Sequence, residues 1–106
     1  MDEFRPVEFL GDALSRMRDF PESARKEAGV QLHKIQLGLD PSDWKPMASI
    51  GAGVREIRIR DEAGIFRVIY VTKIKDAVYV LHAFQKKTQQ TAKQDLDLAI
   101  SRFKQI

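Results

Sequence analysis

The 106-residue chain contains no cysteine, which removes disulfides, thiolate nucleophiles and cysteine-ligated metal centres together. Its histidines are two, His33 and His82, too few to build a zinc site without cysteine. No glycine loop leads into the Lys-Ser/Thr pair that cradles nucleotide phosphates; Gly51-Ala52-Gly53 is short and runs into Val54 and Arg55. No apolar run approaches the length of a membrane span, and the acidic opening MDEFRPVEFLGD, broken by Pro6, does not read as a signal peptide. The expectation is therefore a cytoplasmic protein with no metal, no cofactor and no membrane contact.

What is present is a charged chain with enough apolar residues for a core. Hydrophobic residues make up 43% and charged residues 31%, the balance of a globular domain, and the length fits a single domain over residues 1–106. The net charge of +3 is unevenly spread. Residues 1–54 hold seven Lys/Arg against nine Asp/Glu, and residues 55–106 hold eleven against six. The positive half is also the half that reads as a sheet, and a local basic field attracts phosphate, nucleic acid or an acidic protein surface.

Residues 54–60 alternate in the strand period, which separates Arg55, Ile57 and Ile59 from Glu56, Arg58 and Arg60. Ile65 to Thr72 is apolar on both faces, as a central strand is, except at Arg67. A charge there needs a partner, water or a function. A turn at Asp61-Glu62-Ala63-Gly64 sets Arg58 opposite Arg67 and Ile59 opposite Phe66. A second turn at Lys73-Ile74-Lys75-Asp76 sets Arg67 opposite His82. In this register one face carries Arg58, Arg60, Arg67 and His82, and the other carries Ile57, Ile59, Phe66, Val68, Tyr70, Tyr79 and Leu81.

Around these three strands the rest of the chain reads as support. Phe4 to Phe9 is a short strand that Pro6 confines to an edge or a strand start. Leu10, Leu14 and Met17 recur at helical spacing, Asp19-Phe20-Pro21-Glu22 stops and restarts the helix, and Ala24, Ala28, Leu32, Ile35 and Leu39 stripe a second one that Gly38 ends. This helical hairpin would cover the sheet's apolar face. Asp40 to Gly53 reads as loop, with Trp44 anchoring it. Thr91 followed by Gln94 forms a capping-box pattern, and Leu96, Ala99, Ile100 and Phe103 stripe a last helix. The expected architecture is α+β: an N-terminal short strand and helical hairpin, a three-stranded antiparallel sheet core and a C-terminal helix.

The chemistry such a chain can carry is cationic. Arg58, Arg60, Arg67, Lys86 and Lys87, with Lys93 nearby in sequence, fall on or beside the sheet. Guanidinium groups bind phosphate bidentately and stay charged at any working pH. Cleavage of a phosphodiester by its neighbouring 2′-hydroxyl needs alignment, stabilisation of phosphorane charge and proton transfer. His82, or a lysine with a depressed pKa in a crowded cationic site, could move the proton.

Two stretches carry a family resemblance: REIRIRDEAGIFRVIYV, and YVLHAFQKKTQQTAKQDLDLA. They resemble the RelE/ParE superfamily of bacterial toxins, and within it the HigB-like, phage-derived branch. The matching motifs are Phe66-Arg67-Val68-Ile69-Tyr70 and the segment His82 to Ala92, in which H-x-F-x-K-K-T precedes the last helix. The resemblance implies a curved antiparallel sheet and the toxin of a type II toxin-antitoxin system, a ribosome-dependent mRNA endonuclease acting in the ribosomal A site. It implies a cognate antitoxin with a helix-turn-helix domain, so that DNA is met only through that partner. Arg67 corresponds to the family's central-strand catalytic arginine, Arg58 to a basic residue on the preceding strand, and Lys86 or Lys87 to the basic position after the last strand. Arg58, Arg67, Lys86 and Lys87 are thus the candidate catalytic residues, and Arg60, His82 and Lys93 the candidate RNA contacts. Ala92 departs from the branch's usual proline, and Lys93 or a neighbour stands where RelE itself has a tyrosine. The competing expectations are a ParE-like DNA gyrase inhibitor without nuclease activity, and an inactive prophage relative.

Overall fold

A computed structural model describes residues 5–72 and 77–106. The elements follow the order β1 (Val7–Phe9), α1 (Ala13–Arg18), α2 (Glu22–Gln36), β2 (Trp44–Pro46), β3 (Arg55–Asp61), β4 (Gly64–Val71), β5 (Val78–Lys86) and α3 (Lys93–Phe103). The turn expected at Lys73–Asp76, and Phe4 at the start of the first strand, lie outside the described residues.

The three expected strands form the centre of a larger sheet. Its order is β1-β5-β4-β3-β2, with β1 parallel to β5 and the other neighbours antiparallel. The sheet is therefore five-stranded and mixed, not three-stranded and antiparallel. Both added strands are three residues long and lie at the edges. Pro46, which has no N–H to give a ladder, ends one of them. The segment read as loop thus contributes β2, whose Trp44 pairs with Ile57 and holds the Arg55 guanidinium 3.9 Å from its ring centroid.

The first hairpin forms in the expected register, with Arg58 opposite Arg67 and Ile59 opposite Phe66. Gly64 takes φ 140° at the turn and the Asp61 carboxylate accepts the Ala63 N–H at 3.0 Å. The second pairing differs. Arg67 stands opposite Phe84, and His82 stands opposite Ile69. A β-bulge follows, because Ile69 pairs with His82 while Tyr70 pairs with Val80, leaving Leu81 unpaired. Tyr79 and Leu81 lie on the opposite face from Ile57, where they pack with Ile69 and Val71.

Helices cover both faces. Met17, Phe20, Ala24, Ala28, Leu32 and Ile35 of the helical hairpin pack on Ile57, Ile59, Phe66, Val68 and Tyr70. A Schellman pattern ends α2, with the Leu39 N–H on the Lys34 carbonyl and the Gly38 N–H on the Ile35 carbonyl; Gly38 takes φ 85°. Leu39 therefore leaves the stripe and is exposed. On the other face α3 brings Leu96, Ala99, Ile100 and Phe103 against Val54, Ile69, Val71 and Leu81. Its cap is Ala92, with φ −62° and ψ 147°, and not Thr91. The φ is the one a proline ring would impose, so alanine enters the helix by the same geometry. Thr91 is drawn off the capping position because its hydroxyl donates to Glu56.

Candidate functional site

α3 covers only part of its face of the sheet. Register places Met47, Val54, Ile69, Val71 and Leu81 beneath the helix. Toward the β3–β4 turn the same face carries Glu56, Arg58, Arg60, Arg67 and Lys86, with Lys45 from β2 directly opposite Glu56. The cationic residues therefore occupy the part of the face that the helix leaves open.

Arg67 sits at the centre and is 7% exposed. Its Nε lies 3.2 Å from Glu56 Oε1, and its Nη1 donates to the Phe66 carbonyl at 3.3 Å. Glu56 is 0% exposed, and its Oε2 accepts the Thr91 hydroxyl at 3.1 Å. Glu56 stands opposite Ile69, so it reaches Arg67 along the diagonal of the ladder. Burial pushes the Arg67 pKa down and the Glu56 carboxylate opposes it; a guanidinium remains protonated at any working pH. Arg58 is held differently, with its Nε donating to Asp43 Oδ1 at 3.0 Å. Two arginines face each other across the ladder because each has its own carboxylate.

Lys86 completes the cluster. Burial holds its ammonium below the ordinary lysine range, and the Arg67 charge pushes it further down, with Lys45 and Arg58 adding to the effect and Glu56 opposing it. Among the described residues Lys86 has no carboxylate partner. A partly buried, unpaired lysine beside an arginine is set up to release a proton more readily than a free one.

The remaining candidates divide. Arg60 is exposed at the rim, opposite Ile65. Lys87 is exposed beyond the end of β5 and lines a cleft of about 480 Å³ against α1, together with Arg16, Asp19, Phe20 and Phe84. Lys93 is exposed and bound on its own helix to Asp97 at 2.7 Å, which raises its pKa. His82 lies on the same face as Arg67 but is 0% exposed, stacked on Phe84 with centroids 5.0 Å apart, and its Nε2 lies 2.7 Å from Asp95 Oδ1. That burial leaves it no surface with which to meet a nucleotide. Among the described residues no three His, Cys, Asp or Glu side chains converge as a metal site, and no helix is long and apolar enough to cross a membrane.

Two members of the site were not singled out from the sequence as functional. Glu56 carried a signal, since alternation placed it on the Arg58 face. Lys45 carries none, because a three-residue strand ending in proline has no periodicity to mark it. Together the cluster offers a fixed, nearly buried guanidinium, a second paired arginine and a lysine with a depressed pKa on one face of the sheet. That combination has the chemistry to bind an anionic group and to stabilise charge growing on it.

The model of one protein family, phage-derived protein Gp49-like (DUF891), matches residues 15–104. No curated protein matches the chain.

Proposed function

The chain belongs to the phage-derived Gp49-like family, and from that membership and its open cationic face we propose that it is the toxin of a type II toxin-antitoxin system, a HigB-like member of the RelE/ParE superfamily that cleaves messenger RNA on the ribosome. The single observation that carries the reading is Arg67. A guanidinium is placed in the central strand, 7% exposed, next to a lysine whose pKa is depressed. A stability role alone does not account for that placement, since apolar residues fill such positions at lower cost.

In this reading the 2′-hydroxyl attacks the adjacent phosphorus and gives its proton to solvent water, the 2′-O–P bond forms and the P–O5′ bond breaks. The products are a 2′,3′-cyclic phosphate and a 5′-hydroxyl. Arg67 binds the non-bridging oxygens and stabilises the added charge of the phosphorane. Lys86, protonated at neutral pH but more acidic than a free lysine, donates to the departing 5′ oxygen. Arg58 and Lys45 hold the flanking phosphates, and Arg60 extends the path along the rim. Lys87 and Lys93 act on the RNA path outside the reacting centre, and His82 supports the strand beneath it. The partner is an antitoxin, with a helix-turn-helix domain, whose acidic segment covers the same face. The working compartment is the cytoplasm.

The test is induced expression in bacteria of the wild type and Arg67→Ala, with transcript 5′ ends mapped with and without translation of the message. Cuts confined to translated frames, lost in Arg67→Ala, are the expected result. Growth arrest with intact transcripts would transfer the reading to gyrase inhibition, and no arrest from a folded protein would mark an inactive relative.

A further inference from the structure

Glu56 is a fully buried carboxylate whose polar contacts among the described residues are to Arg67 and to Thr91, just ahead of α3. One oxygen lies 3.2 Å from Arg67 Nε and the other accepts the Thr91 hydroxyl at 3.1 Å. Removing two charges from water costs several kcal/mol per ion, and mutual attraction repays it only where geometry and further hydrogen bonds are good. Here they are incomplete: Glu56 Oε1 and Arg67 Nε are close, yet neither makes a well-aligned hydrogen bond. A pair of this kind in the sheet contributes less stability than an aliphatic pair of similar volume would. Its effect lies in what it fixes.

It fixes two things. Arg67 is nearly buried, so its guanidinium has few alternatives to Glu56 apart from the Phe66 carbonyl. The segment after Lys86 returns toward α3 through Thr88, whose hydroxyl donates to the Gln90 carbonyl, and through Thr91, whose hydroxyl is bound to Glu56. One carboxylate therefore joins the central arginine to the segment that leaves the lysine. Being 0% exposed, Glu56 has no surface of its own for substrate.

We propose that Glu56 is a positioning residue for the proposed cleavage: it holds the Arg67 guanidinium in the orientation that meets the scissile phosphate and ties the Thr88–Thr91 segment to it, acting only through Arg67. This rests on the ribonuclease reading, and the experiment separates the two.

Single-turnover cleavage of a ribosome-bound message is measured for the wild type, Glu56→Gln, Arg67→Ala and the double variant, all as full chains. A small displacement of a catalytic group costs on the order of 10²-fold in rate. Glu56→Gln should lose about that much in kcat with KM nearly unchanged, and should lose less than about 3-fold further in the Arg67→Ala background, as expected of groups acting as one unit. Equal losses in both backgrounds overturn the proposal, because Glu56 then acts on its own. If Glu56→Gln does not fold, Thr91→Val, which removes only the hydroxyl, takes its place in the same cycle with a smaller loss of about 3- to 10-fold. A second readout needs no activity. The Nε–H resonance of Arg67, which lies 3.2 Å from the Glu56 carboxylate, should shift when Glu56→Gln removes that charge. An unchanged resonance overturns the proposal, whether or not the protein cleaves. Absence of cleavage by the wild type with the resonance shifted in Glu56→Gln sinks the nuclease reading and leaves the positioning of Arg67 standing.

Discussion

His82 Nε2 lies 2.7 Å from Asp95 Oδ1 across the seam between β5 and α3, on a ring that is 0% exposed. The neutral ring meets this geometry by donating from Nε2, which leaves Nδ1 bare and without a partner. Burial holds the His82 pKa below its ordinary value of 6.5, with Asp95 opposing the shift. A histidine whose folded pKa is depressed contributes stability that is present above its unfolded pKa and is lost as pH falls toward the folded one. Unfolding free energy should therefore decline below about pH 6.5, with a slope of at most about 1.4 kcal/mol per pH unit. Urea unfolding at stepped pH checks this. His82→Gln should be less stable at pH 7.5 and should lack the decline; an identical slope in that variant would exclude His82 as its source.

The same residue marks where sequence reading reached its limit. The β3–β4 hairpin was legible because it is local: a four-residue turn with Gly64, flanked by alternating runs, fixes the register to the residue. The β4–β5 register was not, because its bulge is fixed from outside the hairpin. The carbonyl of the unpaired Leu81 is taken by Arg102 Nη1 at 2.9 Å, a residue 21 positions on. Periodicity cannot see that bond; the bulge supplies one of the two residues by which the partner of Arg67 moves from His82 to Phe84, and the other is already in place at Val71 and Tyr79, on the turn side of the bulge. The cationic face was legible as a list of arginines. Its neutralisation was not, because Glu56 meets Arg67 on a diagonal and Asp43 lies on a segment read as loop. β2 escaped notice for a related reason, being three residues long and ending in proline.

Lys86 and Lys87 are adjacent in the chain and differ in surroundings, Lys86 partly buried and Lys87 exposed, which makes their substitution informative. Burial and then the Arg67 charge depress the Lys86 pKa, whereas Lys87 lies at the rim of the α1 cleft. Under the proposed mechanism Lys86→Ala should lower kcat by about 10²-fold, the scale of a lost general acid. Lys87→Ala should leave kcat within about 3-fold and weaken RNA binding with a reduced salt dependence, as loss of one phosphate contact does. Ribosome-dependent cleavage measured at two ionic strengths distinguishes them. Equal effects on kcat would mean that Lys86 has no special place in the reaction. Where Lys86 acts as the acid, its substitution should also remove the alkaline limb of the pH–rate profile.

Arg102 joins three elements from within α3. Besides the Leu81 carbonyl it reaches Asp12 Oδ1 at 2.6 Å, in front of α1, while only 8% exposed. Asp12 also bonds Arg16, and the hydrogen bonds to Arg16 and Arg102 lower its pKa to about 2. A depressed carboxylate stabilises the fold above its unfolded pKa near 3.8, and that contribution disappears as pH falls toward 2. Because the Asp12 side chain is 45% exposed, solvent screening limits the effect, and Asp12→Asn should cost about 0.5–1 kcal/mol at pH 7. Arg102→Ala should cost more, about 3 kcal/mol, since it strands the bulge carbonyl and leaves a void. Paired denaturant curves test the order. Asp12→Asn costing as much as Arg102→Ala would make the ion pair, and not the carbonyl, the main contribution of Arg102.

Gly11 provides the last test of this junction. It takes φ 54°, where an L side chain is strained, and a Cβ built there would stand 2.6 Å from the Arg102 guanidinium. A long side chain elsewhere would move aside. This one is held at both ends of its guanidinium, by Leu81 and by Asp12. Gly11→Ala should therefore combine two costs, about 1–2 kcal/mol for the left-handed backbone and a further cost for displacing Arg102. The two separate in a double-mutant cycle. In an Arg102→Ala background the guanidinium is gone, and Gly11→Ala should cost only the backbone part. If the cost is the same in both backgrounds, the glycine serves the turn alone. If it falls, Gly11 is where the chain makes room for the arginine that holds the β5 bulge, and with it the register of His82 and Phe84 beside the cationic face.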